Sequence, residues 1–403
     1  MDEEAYQRAT SVYLVDRVIP MLPERLSNEL CSLRPHEDKL CFSAVFILDQ
    51  GANILEEWFG KTIIHSKRRF SYEEVQQVLE SGSGELSVEL IQLNQLARQM
   101  REERYAAGAI NFETTEVKFR LDEAGKPVGV YIKERKDAHK LIEEFMLLAN
   151  KKVAEFVAKK GDKKHPFTFV YRAHDGPDPD NLFKFSQFAA QFGYKINTKT
   201  HKDISRSLNK LMADVEGKKE QNVLTQLAIR SMAKAIYTTK STSHYGLAFE
   251  YYTHFTSPIR RYPDVMAHRL LFAYLNGSKS LDLDDFEKKC EHSSQMEKKA
   301  AEAERASVKY KQAEYLKDQI GEIFSGVVSG VTEWGMYVEL IENKCEGMIR
   351  LRDMDDDFYI LDQANYCIIG QRKKKKFQLG DELRVKVKSI DLVKKQIDFS
   401  LVK

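Results

Sequence analysis

Cysteine is scarce in this sequence of 403 residues. The cysteines are odd in number, show no Cys-x-x-Cys spacing, and are Cys31, Cys41, Cys290, Cys345 and Cys367. This pattern argues against a disulfide framework and against a structural zinc site. It is typical of proteins in a reducing compartment, so we expect a cytoplasmic protein with free thiols.

Long apolar runs are also missing. Charged residues interrupt every apolar stretch well before the roughly 18 residues that a membrane-spanning helix needs. The chain opens with Met-Asp-Glu-Glu, which is acidic where a secretory signal would be basic and then apolar. We therefore expect no membrane association.

Neither sign of charge dominates, because 63 Lys and Arg balance 61 Asp and Glu to a net charge of +2. Electrostatic inferences about partners must therefore be local. Apolar residues make up 42% and charged residues 31% of the chain, which excludes disorder as its dominant state.

The chain mixes helical and strand-like patterns, which predicts an α+β fold of about two or three domains. A buried strand is expected at residues 40–48, with a hairpin partner at 58–66 after a turn rich in Asp, Gly and Asn. Apolar periodicity predicts helices over 72–81, 88–106, 138–160 and 180–192.

Three closely spaced aspartates, Asp175, Asp178 and Asp180, come before or at the start of the last of these helices. Such a group can serve as metal ligands or as helix caps. We favour capping, because Pro179 and the apolar period that follows explain all three.

A helix rich in Ala, Glu and Lys is expected at 297–317, after an acidic linker at 282–285. It leads into a compositionally different unit, so we predict one domain over 1–316 and a second over 317–403. In the second, short strands are expected at 321–329, 335–341, 346–350, 382–390 and 396–402. Five short strands with one longer insert predict a small closed β-barrel of the OB type.

The barrel region contains IFSGVVSGVTEWGMYV at 323–338, EGMIR at 346–350 and FQLGD at 377–381. These segments resemble the RNA-binding domain of the ribosomal-protein-S1 type. The resemblance implies an OB-fold that binds single-stranded RNA.

Residues of two kinds are candidates for RNA contacts on this barrel. Exposed aromatics stack on unpaired bases, and Phe324, Trp334 and Tyr337 are the candidates, although some of them must also pack the barrel. Arg372 and Lys373, in the basic run RKKKK, are candidates for phosphate contacts. The alternative for this run is a solvated loop.

Four segments of the first domain occur in a fixed order. They are TSVYLVDRVIPMLP with LSNELCSL from residue 10, HKLIEEFMLLAN from 139, YRAHD from 171, and YGL with YTHFTSPIRRYPD from 245. They resemble the catalytic (RNB) domain of the RNase II and RNase R family of exoribonucleases, in which an S1-type domain follows. The resemblance implies an enzyme that degrades single-stranded RNA processively from 3′ to 5′, releasing nucleoside monophosphates with the help of magnesium ions.

The same resemblance implies three residues of the catalytic centre. Tyr13 matches a tyrosine that packs on the terminal nucleotide near the scissile phosphate. Arg260 matches the arginine at that phosphate, where a guanidinium can neutralise developing charge. Glu304 matches a glutamate near the active centre.

Three further residues are implied to grip the RNA. Phe112 matches the phenylalanine that clamps the terminal bases, and Tyr72 matches the aromatic at the other end of the base stack. Glu143 matches a glutamate that contacts the 3′ nucleotide.

We interpret His174 and the adjacent Asp175 as structural. Three further histidines lack metal-ligand spacing, and we interpret them as structural or RNA-facing: His244, His254 and His268.

The sequence departs from the family pattern upstream of Tyr13. The family's magnesium ligands are aspartates of a D-x-D-D-A type segment, and this chain contains no such segment. We therefore expect no metal ligands here. Val15 also replaces the proline that usually follows SVYL.

Three explanations fit the missing segment. The chain is a C-terminal portion of a longer exoribonuclease, or one half of a split enzyme whose partner polypeptide supplies the metal ligands, or an RNA-binding protein without hydrolysis. Missing opening strands would also expose apolar sheet surface, which a partner would have to cover.

Overall fold

Helices and strands alternate through the first part of the chain, and strands dominate the last part. The computed structural model describes residues 1–112, 116–161, 166–218, 220–363 and 365–402. The helices are α1 (Asp2–Arg8), α2 (Tyr72–Ser81), α3 (Ser87–Ala107), α4 (Asp137–Lys160), α5 (Pro179–Gln191), α6 (His201–Val215), α7 (Gln221–Ser231), α8 (Tyr262–Leu275) and α9 (Leu283–Leu316). The strands before α9 are β1 (Val12–Tyr13), β2 (Val18–Ile19), β3 (Asp38–Leu48), β4 (Ile54–His65), β5 (Glu116–Leu121), β6 (Pro127–Lys133), β7 (Tyr171–Ala173) and β8 (Ile236–Thr238). Those after it are β9 (Ile323–Val331), β10 (Gly335–Leu340), β11 (Glu346–Arg350), β12 (Tyr359–Asp362), β13 (Cys367–Gly370), β14 (Lys376–Gln378), β15 (Glu382–Asp391) and β16 (Gln396–Leu401).

The expected hairpin is confirmed, because β3 and β4 form a long antiparallel ribbon. Successive side chains of a strand point to opposite faces. Phe42 and Phe46 pack on the core beneath α4 and α8, whereas Val45 and Ile47, on the opposite face, are about half exposed. The prediction of a fully buried strand is therefore wrong, since only one face of the ribbon is covered by helices.

The four helices expected from periodicity are confirmed as α2, α3, α4 and α5, to within one residue at each end. The capping interpretation is confirmed for Asp178, whose side chain accepts a hydrogen bond of 2.9 Å from the Asn181 backbone N–H. Pro179 follows in the first turn, where a missing N–H costs nothing.

The long charged helix α9 begins at Leu283, well before the expected start, so the predicted acidic linker is wrong. Asp282 caps the helix by accepting from the Asp284 N–H at 3.0 Å. Ser293 and Ser294 do not interrupt the helix, because their hydroxyls donate back to the carbonyls of Lys289 and Cys290 at 2.7 and 2.9 Å. Among the described helices, none is both long and apolar enough to cross a membrane.

The C-terminal strands form the expected closed barrel, in the order β10-β11-β16-β15-β9. Antiparallel neighbours supply most of the pairing, and β11 meets β16 in parallel. Close packing requires glycine at Gly347, where a Cβ atom would lie 2.6 Å from the Phe399 ring.

The insert between β11 and β15 carries a small antiparallel sheet, β12-β13-β14, that we did not predict. Its strands are three or four residues long and lie next to an acidic and a basic run, so they give little periodicity. Barrel residues such as Val328 and Phe399 belong to one continuous apolar cluster with Phe185 of α5 and Leu224 of α7. The barrel therefore packs directly on the helical body.

Candidate functional site

Strand β1 is held against helix α9 by two side chains of the helix. Glu304 accepts a hydrogen bond of 2.8 Å from the Tyr13 backbone N–H, and the Ser307 hydroxyl accepts one of 3.1 Å from the Val15 N–H. The Tyr13 side chain stays about half exposed. Two of the residues implied for the catalytic centre therefore lie side by side, with Glu304 fixing the backbone that presents Tyr13.

The loop before α8 brings Arg260 to the same place. The Ser11 N–H donates to the Arg260 carbonyl at 3.0 Å, and the Tyr262 N–H donates to the Ala9 carbonyl at 2.8 Å. Arg260 is thus tied by backbone hydrogen bonds to the segment that leads into Tyr13. Within the described chain, its guanidinium makes neither a hydrogen bond nor an ion pair, so it is available to an anion.

The neighbouring Arg261 has a different role. Its guanidinium donates to the Asp264 carboxylate from Nε at 2.8 Å and from Nη2 at 2.9 Å. Asp264 is completely buried and also accepts from the Ser257 N–H at 2.7 Å. This pair fixes the shape of the loop and leaves Arg260 free.

A cleft of about 370 Å³ lies beside this loop, and its lining includes Tyr72, Glu143, His139, Asn150 and Arg261. Tyr72 stacks on His139 with ring centres 4.1 Å apart and planes 11° apart, and it remains 46% exposed. Burial is the main cause that lowers the pKa of His139. A stacked pair open on one side offers a base-sized aromatic surface.

Of two adjacent glutamates on α4, one faces this cleft. Glu143 lines it and pairs with Arg135, whereas Glu144 is buried and pairs with Arg104. The carboxylate implied to contact the 3′ nucleotide is therefore the accessible one.

Asn150 connects the cleft to the arginine loop, a role that we did not predict. Its buried carboxamide oxygen accepts from the N–H groups of Phe255 and Thr256 at 2.8 and 3.2 Å. Its Nδ2 donates to the Tyr252 hydroxyl at 3.1 Å. The signal was its place as the last residue of the HKLIEEFMLLAN segment.

Phe112 lies apart from these groups. It is half-buried and packs against the apolar cluster of α5 to α7, and it is not among the residues that line the Tyr72 cleft. The Asn111 N–H donates to Asn209 Oδ1 at 2.9 Å, which fixes the backbone next to Phe112. The described contacts therefore do not bring Phe112 and Tyr72 together at the two ends of one base stack.

The barrel aromatics differ in exposure. Trp334 is 72% exposed. Tyr337 lines a cleft between the barrel and α9 together with Lys309. Phe324 packs partly into the apolar cluster, and both Phe324 and Tyr337 are less exposed than Trp334.

The basic run lies next to the acidic run in space, although the two are well separated in sequence. Asp357 accepts hydrogen bonds from the backbone N–H groups of Arg372 at 3.0 Å and Lys373 at 2.6 Å. Both basic residues are exposed. The aspartate thus shapes the loop, and the basic side chains project from it.

The described residues do not fit a metal site. Across the described ranges, no three His, Cys, Asp or Glu side chains are grouped so that they could hold a metal ion. Two acids bound to the Tyr13 segment and to the Arg260 loop already have partners, since Glu304 accepts from the Tyr13 N–H and Asp264 pairs with Arg261.

The buried histidines of the first domain make structural contacts in this fold. His254 shares a hydrogen bond of 2.8 Å with the Tyr237 hydroxyl, and His268 Nε2 lies 2.7 Å from the Phe255 carbonyl oxygen. Burial is the main cause that lowers the pKa of His244 to about 3 and that holds the pKa of His254 well below its usual value, with Arg261 and Arg172 adding to the effect at His254. These rings are therefore neutral at physiological pH.

Buried neutral histidines predict acid sensitivity. Because the pKa of His254 is lower in the folded than in the unfolded chain, its contribution to stability is present above about pH 6.5 and is lost as the pH falls below it. We expect this residue to account for about 1.4 kcal/mol of the stability lost between pH 7.5 and 5.5. Urea unfolding of His254→Gln should show a loss between these two pH values that is smaller by that amount than the loss in the parent chain. Equal pH dependence in the variant and in the parent chain would contradict this prediction.

A closed barrel with an exposed tryptophan, packed on a body whose cleft lies next to an unpaired arginine, is typical of nucleic-acid-binding proteins. A family profile described as RNB domain matches residues 1–277, and one described as S1 RNA binding domain matches residues 317–401. The barrel is therefore an OB-fold of the S1 type, and the chain belongs to the RNase R family.

Two relatives and one solved structure show the extent of the similarity. Ribonuclease R of Aquifex aeolicus is 36% identical over 410 residues, which cover 100% of this chain and 57% of the relative. Ribonuclease R of Thermotoga maritima is 39% identical over 415 residues, with 100% and 58% covered. Mycoplasma genitalium RNase R in complex with ribose methylated single-stranded RNA has a TM-score of 0.91 at 29% identity, with 100% and 64% covered. The chain thus spans less than two thirds of the length of these proteins.

Proposed function

We propose that this chain is part of a 3′→5′ exoribonuclease that degrades single-stranded RNA processively to nucleoside 5′-monophosphates by metal-assisted hydrolysis. The observation that carries the proposal is the guanidinium of Arg260, unpaired within the described chain. Its backbone is bonded to the segment before Tyr13, and the next residue, Arg261, lines the Tyr72 cleft. Arginine binds phosphate in a bidentate manner and can stabilise charge that develops on it. The related Mycoplasma enzyme in complex with single-stranded RNA supports RNA as the ligand.

In this proposal, residues 1–316 form the exoribonuclease domain and residues 317–403 the S1-type RNA-binding domain. The 3′ end enters the cleft, where Tyr72 stacks on a base and Glu143 contacts the 3′ nucleotide. Tyr13 packs on the terminal nucleotide while Arg260 binds the scissile phosphate. Glu304 acts through Tyr13 and is a positioning residue.

The magnesium ions that the resemblance implies would activate water. Since the described residues do not gather a set of metal ligands, hydrolysis requires acidic ligands from outside them. A split enzyme would obtain these ligands from a partner polypeptide. A non-catalytic RNA-binding protein would lack them and would not hydrolyse RNA. The longer exoribonuclease, the split enzyme and the non-catalytic protein would all bind RNA. RNA binding without added metal therefore tests all three.

We expect Tyr72→Ala to weaken the binding of a 5′-fluorescein-labelled single-stranded RNA. The loss should be about 1–3 kcal/mol, the contribution of one aromatic stacked on a base. Fluorescence anisotropy in EDTA measures it without hydrolysis. The matched control is Tyr131→Ala, because Tyr131 is 42% exposed on β6 against 46% for Tyr72 and does not line the cleft. Equal affinity of the two variants would argue against the cleft as the RNA site.

A further inference from the structure

An open cleft on the barrel has two highly exposed aromatic residues in its walls. It has a volume of about 680 Å³ and lies between the barrel and the insert sheet. Trp334 on the barrel side is 72% exposed, and Phe358 on the insert side is 66% exposed. Apolar residues this open on a common cleft mark a binding surface. Phe358 was not among the residues that the sequence singled out.

Both aromatics are presented by fixed backbone. The Phe358 N–H donates to Asp357 Oδ1 at 2.7 Å, and the Phe358 carbonyl accepts from the Gln371 N–H at 2.9 Å. The Trp334 carbonyl accepts from the Leu351 N–H at 3.1 Å, which ties it to the turn that enters the insert. A ligand that stacks between them therefore meets a surface that is already ordered, and little conformational entropy is lost on binding.

Most acids near the cleft already have partners. Asp353 pairs with Lys388 at 3.0 Å, Asp356 accepts from the Tyr359 hydroxyl at 3.2 Å, and Asp357 accepts backbone N–H groups. Glu333 also lines the cleft, at the rim beside Trp334.

The basic side chains around the cleft are more open. Arg352 lines it with 74% of its side chain exposed. The backbone of Arg372 and Lys373 is bound to Asp357, the residue next to Phe358, so the basic loop begins at this wall. Arg352 and Lys373 make only long, exposed ion pairs, with Asp353 and Asp356, each at 3.9 Å. Flat aromatic surfaces bordered by such exposed cations suit unpaired bases and their phosphates, rather than an apolar peptide.

We propose that Phe358 and Trp334 are the two walls of one base-stacking cleft that binds consecutive unpaired nucleotides. The insert sheet then adds an RNA-binding surface to the barrel, and Arg352 and the basic loop contact the phosphates. This inference rests on the proposed RNA-binding function and assigns it a further residue.

The test uses the full chain with Trp58→Phe, which leaves Trp334 as the single tryptophan. A 5′-labelled ten-residue oligouridylate is titrated in EDTA, and both anisotropy and Trp334 emission are recorded. We expect quenching of Trp334, and we expect Phe358→Ala to weaken affinity about 5-fold or more while Phe358→Trp, read by anisotropy, retains it. Val393→Ala, at a barrel residue that is 91% exposed, should bind as the parent does.

The outcomes separate the two proposals. If Trp334→Ala loses affinity but Phe358→Ala binds as the parent does, the barrel binds RNA without the insert and the inference is overturned. An apolar peptide would then be the better candidate for the Phe358 wall. If the parent chain does not bind the oligonucleotide at all, the proposed function and the inference both fail. Circular dichroism of the Phe358 variants should be unchanged, since the side chain is mostly exposed.

Discussion

Asp264→Asn is expected to lower the free energy of unfolding by about 3–5 kcal/mol. Asp264 is fully buried, and its carboxylate receives two hydrogen bonds from Arg261 and one from the Ser257 N–H. The amide keeps the shape of the side chain but removes its charge. The Arg261 guanidinium, only 14% exposed, is then left without a counter-ion.

Asp285→Asn is the matched control for this substitution. Asp285 also lies in the first turn of a helix and pairs with a cation, Lys289, at 2.6 Å, but its side chain is 53% exposed. Exposed pairs contribute little, so the change should stay within about 0.5 kcal/mol. Urea unfolding followed by far-ultraviolet circular dichroism measures both. Similar losses in the two variants would show that the buried pair does not hold the loop.

Arg260→Ala is expected to weaken single-stranded RNA binding by about 10-fold to 150-fold. This is the range for a lost hydrogen bond to a charged group, about 1.5–3 kcal/mol. No described partner compensates Arg260 in the free protein, so its removal should leave the fold intact. The unfolding midpoint in urea should therefore match that of the parent chain.

The salt dependence of binding tests whether Arg260 contacts a phosphate. Loss of one phosphate contact to a single strand should reduce the slope of log affinity against log salt by about 0.7. Arg260→Lys keeps the charge but loses the bidentate geometry, so it should retain the slope and only part of the affinity. An unchanged slope in Arg260→Ala would argue that this arginine contacts a base or no nucleotide at all.

Much of the fold could be predicted because its signals are local. Helix α5 follows from Asp178, Pro179 and the apolar period after them, and the barrel follows from short strands separated by glycines. The start of α9 was missed because Ser293 and Ser294 are weak helix formers, and their back-bonding to carbonyls is not visible in composition. The insert sheet was missed because strands of three or four residues between charged runs carry almost no period-2 pattern.

The candidate site was less predictable from the sequence, because tertiary contacts decide which of its residues are paired and which are available to a ligand. The sequence alone does not tell which of Arg260 and Arg261 pairs with Asp264, and only the free one can meet a phosphate. Asn150 acts on backbone groups more than 100 residues away. Phe358 follows an acidic stretch without periodicity, so its sequence context does not single it out. Its proposed role rests on the cleft that it shares with Trp334.

The most direct test of these conclusions is incubation of the purified chain with a 5′-labelled single-stranded RNA and magnesium, with Arg260→Ala beside it. We predict that the parent chain shifts the RNA on a native gel and leaves it intact on a denaturing gel. In the proposed function the described residues bind RNA, and they do not gather a set of metal ligands. A ladder running down to very short products, absent with Arg260→Ala, would contradict this and place a working metal site within the chain. RNA that is neither shifted nor cleaved would contradict the RNA-binding function itself.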